Sequence, residues 1–200
     1  MGRSNLALGV YALVCGASGA FALWLWGEIG AHPEPWFSLP PSLSHLYSGT
    51  LGATIGIAVV LLSPVLERSF RPFRNLAAEL APIVRSIPSS HTVPLAILSA
   101  LGEEFLFRGV LAPSIGIIAS SVLFGLVHQI PGPARWTWAL SAGVLGLCLA
   151  ALYAGSGSLL GPVVAHAIIN AVNLRALRRF EPEASARTPL GGVLGSLSDR

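Results

Sequence analysis

Runs of apolar residues, most of them close to twenty long, alternate along this chain with short breaks rich in Pro, Gly and Arg. Each run is about the length a helix needs to cross a hydrocarbon core of roughly 30 Å. Six are placed: Asn5 to Trp26, Leu46 to Leu66, Val93 to Ala112, Ser114 to Ile130, Trp136 to Ala154 and Leu159 to Leu174. The first competes with a signal peptide. Its run exceeds the usual h-region of about 7–15 residues and no small-x-small site closes it neatly, so a retained helix is expected. Asn75 to Ile87 differs. Leu76, Leu80, Ile83, Val84 and Ile87 recur at helical spacing, with Glu79 and Arg85 off that face, which predicts an amphipathic helix lying on the membrane. The predicted fold class is all-α: a polytopic transmembrane bundle of about six spans plus one amphipathic interfacial helix.

The breaks refine this picture. Gly27 to His45 is Pro-rich and predicts an exposed loop, with Trp36 and Phe37 dipping into the membrane interface. Gly49, Gly52 and Gly56 place small residues at three- and four-residue spacing, which permits close helix packing. Pro162 has no N–H and is expected to loosen the last span one turn before His166. Glu181 to Arg200 is polar and predicts a flexible tail. The division expected is 1–87 for two spans and the interfacial helix, 88–179 for a core of the remaining four spans, and 180–200 for the tail.

Composition supports a membrane protein. Of 200 residues, 53% are hydrophobic and only 10% charged, against about 25% charged in soluble domains. The net charge of +3 comes from Arg alone, since the chain has no Lys. With six spans, Arg3, the Arg68/Arg71/Arg74 cluster, Arg135 and the Arg175/Arg178/Arg179 cluster all fall on one side. The positive-inside rule makes that side cytoplasmic, with both termini on it. Short juxtamembrane Arg clusters give no nucleic-acid surface. The two cysteines, Cys15 and Cys148, lie in apolar runs, so no disulfide framework is expected.

Charges inside the third run change the reading from architecture to chemistry. Leu101-Gly102-Glu103-Glu104-Phe105-Leu106-Phe107-Arg108-Gly109 puts three charges where lipid should be, each costing about 2.5–3.5 kcal/mol at mid-bilayer. Glu104 and Arg108 share a helix face and can pair, whereas Glu103 lies about 100° around and looks elsewhere. Phe124-x-x-x-His128 and His166-x-x-x-Asn170 add two imidazoles and an amide on two further spans. Taken singly, each has a structural explanation: an ion pair, an interfacial His, an interhelical amide, a packing Phe. Together a carboxylate, two His and an Asn suffice for hydrolysis. The carboxylate is a general base for water, one His orients that water, and the other His and the Asn donate to an oxyanion. A zinc site built on Glu103, His128 and His166 remains an alternative from spacing alone. So does a proton-relay transporter, although no inverted repeat stands out.

Glu103-Glu104-x-x-x-Arg108, Phe124-x-x-x-His128 and His166-x-x-x-Asn170, in that order over Pro88 to Leu174, resemble the three-motif signature of the CPBP family. That family comprises type II CAAX prenyl endopeptidases and bacteriocin-processing or immunity (Abi) membrane proteins. The resemblance implies a glutamic-type intramembrane protease in a bacterial inner membrane, without metal or other cofactor. It implies catalytic roles for Glu103, His128, His166 and Asn170, supported by Glu104, Arg108 and Phe124. The substrate implied is a peptide or protein at the bilayer, with removal of a C-terminal sorting tail, as in the myxosortase-like branch, as a specialised case. A non-proteolytic immunity protein of the Abi type is the alternative.

Overall fold

The computed structural model describes residues 16–21, 24 and 34–181. Most of the expected first span and nearly all of the expected tail lie outside these residues, although 16–21 are helical. Among the described residues every regular element is helical. In order they are α1 (Pro41–Ser69), α2 (Arg71–Arg85), a 3₁₀ turn (Ser89–His91), α3 (Thr92–Glu104), a π-helix (Phe105–Leu111), α4 (Ala112–Ile115), α5 (Ile117–Val127), α6 (Arg135–Ser156) and α7 (Leu160–Arg179). Three of them, α1, α6 and α7, are long and apolar enough to cross a membrane.

Boundaries depart from the apolar pattern where backbone chemistry decides them. The first loop was expected to run to His45, but α1 begins at Pro41. Proline is well suited to the first helical position, where its missing N–H has no partner to lose. The third run is not one α-helix: the Glu-bearing stretch passes from α3 through the π-helix into α4. The turn expected at Pro113 falls at Gly116, whose φ of 88° suits glycine. The helix after it, α5, has only 11 residues. At the other end α7 runs on to Arg179. Pro162 does not loosen it. It lies in the first turn of α7, where no intrahelical bond is lost.

The bundle closes on small residues. A Cβ on Gly52 would sit 2.1 Å from the Gly161 carbonyl oxygen, and one on Gly56 3.2 Å from Ala165 Cα. The glycine ladder of α1 therefore lets α7 approach to backbone contact. Hydroxyls join the same ends. Ser48 Oγ donates to the Ser158 carbonyl (3.0 Å) and accepts from the Gly161 N–H (3.1 Å). The hydroxyl of Ser44 bonds the Ser156 carbonyl. Trp36 and Phe37 donate their backbone N–H groups to the Ala154 and Gly155 carbonyls at 3.0 and 3.1 Å. The stretch expected at the membrane interface thus caps the C-terminus of α6, while both rings stay more than half exposed.

Helix α2 is amphipathic, as its pattern predicts, but its buried residues are Ala77, Leu80, Ala81 and Val84. They face the bundle: α2 contacts α1, α6 and α7. Ile83, expected on that face, is exposed. Arg178 of α7 donates to the Val84 carbonyl (3.2 Å), and Glu79 Oε1 accepts from the Ala134 N–H (3.3 Å).

Candidate active site

The π-helix sets the geometry of the charged stretch. Its wider turn bonds the Ala112 N–H back to the Phe107 carbonyl, which also accepts from Ser120 Oγ of α5 at 2.9 Å. Arg108, in the middle of the π-helix, is buried against three helices. Its Nη1 donates to Glu104 Oε1 (2.9 Å) and its Nη2 to the Gly146 carbonyl of α6 (3.1 Å). Its guanidinium stacks over Phe124 of α5 at 4.3 Å. Gly146 leaves this approach open: a Cβ there would lie 3.0 Å from the Phe124 ring and 3.2 Å from Arg108 Nη2 and would crowd both. Phe107, Phe124 and Ala142 form the apolar floor beneath.

On this floor the carboxylates and imidazoles converge. Glu103 Oε2 is 3.3 Å from His128 Nε2 and 3.8 Å from His166 Nε2. Glu104 Oε1 is 2.6 Å from His166 Nδ1. The other ring nitrogen of His128, Nδ1, meets the Phe124 carbonyl at 2.7 Å. The Phe124 ring lies beside both imidazoles, with centroids 4.3 Å from His128 and 5.9 Å from His166. The two carboxylates are not equivalent. Glu104 is completely buried, whereas the Glu103 and His128 side chains are 16% and 20% exposed. The Glu103–His128 edge is therefore the partly exposed side of the cluster, and the Glu104–Arg108 floor is sealed.

All seven residues singled out in the sequence lie on the α3–π segment, α5 with its C-cap, or α7. Glu103, Glu104, Arg108, Phe124, His128 and His166 are in direct mutual contact. Asn170 is held differently: its Nδ2 donates to Ser99 Oγ at 3.0 Å. The expected His166–Asn170 pairing on one face gives them separate partners, Glu104 for one and Ser99 for the other. Ser99 was missed, although it lies four residues before Glu103 and so on its helix face. The Gly146 carbonyl was also missed, and nothing in a single sequence marks it. Among the described residues no three His, Cys, Asp or Glu side chains form a metal-holding group.

Comparison with known proteins bears on the same segment. Residues 86–172 match the family described as type II CAAX prenyl endopeptidase Rce1-like. The chain is 38% identical over 88 residues to the uncharacterized protein YpbD of Bacillus subtilis. That alignment covers 44% of this chain and 45% of the relative, so the chain spans less than half of the curated protein it matches. No solved structure matches. The segment that carries the buried carboxylates and both imidazoles thus coincides with the matched region: residues 86–172 are similar to the family described as type II CAAX prenyl endopeptidase Rce1-like.

Proposed function

We propose that the chain is an intramembrane endopeptidase of glutamic type. It hydrolyses a peptide bond of a membrane-associated or C-terminally anchored substrate. One observation carries the reading: a partly exposed carboxylate, Glu103, stands 3.3 Å from an equally accessible imidazole, His128, above a sealed ion pair. A water bound beside the Glu103–His128 pair loses a proton to the carboxylate as its oxygen attacks the scissile carbonyl. Asn170 serves the developing oxyanion. Glu104 and Arg108 hold the floor, and Phe124 packs the two His rings. The family match supports the reaction class. The Arg distribution supports a plasma-membrane bundle with both termini cytoplasmic.

The test uses purified protein in lipid vesicles with two probes, a farnesylated CAAX peptide and unmodified peptides carrying an apolar C-terminal segment. Cleavage in ¹⁸O-water should place the label in the new C-terminal carboxylate, and Glu103→Gln should abolish it. Tight binding of a probe without any cleavage would replace the protease by a non-proteolytic peptide-binding protein.

A further inference from the structure

Resting on the hydrolytic reading above, in which Asn170 donates to the oxyanion, we propose that Ser99 is the positioning residue for that donor. Its buried hydroxyl oxygen holds Asn170 Nδ2 and so sets the direction of the amide's second N–H. Register places the two residues. Helix α3 packs against α7. Glu103 Oε2 of α3 is 3.8 Å from His166 Nε2 of α7. Four residues back along α3, Ser99 Oγ accepts at 3.0 Å from Asn170 Nδ2, which lies four residues on along α7. The two helices therefore run antiparallel here, and the two contacts are rungs about 6 Å apart. Ser99 thus holds the amide one helical turn from the carboxylate that activates water.

Hydrogen bonding decides how the amide is held. Ser99 is 3% exposed, so its hydroxyl must be satisfied within the bundle. Its single hydrogen goes to the Ala96 carbonyl at 3.1 Å, in the turn behind it. The oxygen is left as an acceptor, and an acceptor selects the NH₂ end of the Asn170 amide over its carbonyl end. The restraint matters because χ2 of asparagine is broad and has no sharp well of its own. With one N–H held by Ser99, the planar amide has its orientation fixed, and the second N–H is left to donate. Asn170 is only partly buried, as a donor to substrate must be. A catalytic donor has to be kept within about 0.5 Å of its working geometry by groups that are themselves locked. Ser99 acts through Asn170 in this way and takes no part in the bond changes.

A double-mutant cycle on a peptide that the protein cleaves tests this, with the full chain in vesicles. Asn170→Ala should lower kcat about 10²–10³-fold. Ser99→Ala should lower it about 10–10²-fold with KM unchanged, because a misaimed donor weakens only the transition state. The double variant should be no slower than Asn170→Ala, since Ser99 then has nothing left to aim. Ser99→Thr, which keeps a hydroxyl able to bond the carbonyl one turn back, should restore most of the rate. In the wild-type protein, which needs no variant to fold, NMR should show a contact between the Asn170 Nδ2 hydrogens and the Ser99 β-hydrogens. Full kcat for Ser99→Ala, the same fold-loss from Ser99→Ala with and without Asn170, or no such NMR contact would overturn the positioning role while leaving the protease intact. A wild type that cleaves no peptide overturns the hydrolytic reading and this role with it.

Discussion

Two adjacent glutamates sit in different surroundings, Glu104 fully buried and Glu103 partly exposed. Glu104 is sealed with Arg108, and removing one member leaves the other charge buried and unpaired, a loss of about 3–5 kcal/mol. Glu104→Gln and Arg108→Leu should therefore reduce the amount of folded protein recovered from membranes. Glu103→Gln, at the solvent-touched edge, should leave recovery near wild type and remove activity. A stable, active Glu104→Gln beside an unrecoverable Glu103→Gln would reverse the assignment. The metal question is decided by content. Active protein should carry no stoichiometric zinc, and o-phenanthroline should inhibit it no more than a non-chelating isomer. Activity lost and restored with one zinc per chain would install a metalloprotease in its place. At this scale, pairs four apart on one helix were legible, because α-helical geometry makes them neighbours. The contact of His166 with Glu104 was not, because it joins residues 62 apart on two helices.

At the scale of elements, the apolar runs located the helices, and the glycine spacing marked the close-packing face of α1 without naming α7 as its partner across the seam. Helix ends were set by proline at α1, by positive φ at Gly116 and by capping from Trp36 and Phe37, none of which hydrophobicity reports. The π-helix left no periodic trace. It serves Arg108, whose reach to Glu104, Gly146 and Phe124 depends on the register there. The seam makes a sharp prediction. Gly52→Ala puts a carbon 2.1 Å from a backbone oxygen, so the helices must separate, whereas Gly143→Ala meets nothing closer than 3.6 Å. Thermal unfolding in detergent should show Gly52→Ala destabilised by about 1–3 kcal/mol or more, and Gly143→Ala little changed. Equal stability of the two would mean that α1 and α7 are not in backbone contact.

For the whole molecule, reporter fusions at Ser38 should face outward and at Arg71 inward, and an outward Arg71 would break the proposed orientation. The 11 residues of α5 have a further consequence. They rise only about 16 Å, near half of a hydrocarbon core of roughly 30 Å. His128 follows at the end of this half-length helix, and the chain then runs without regular helix to Arg135, with Gln129 and residues 131–133 exposed. Irregular backbone at membrane depth is tolerated only inside protein or along a water-filled recess, since lipid offers its N–H and C=O groups no partner. In the proposed orientation, the shortness of α5 would supply a water path for the proposed reaction, from the Arg-rich face to the Glu103–His128 edge. Cysteines placed at Gln129 and Pro133 should react with a membrane-impermeant maleimide from that face, and inert thiols there would mean that the reaction draws its water from elsewhere.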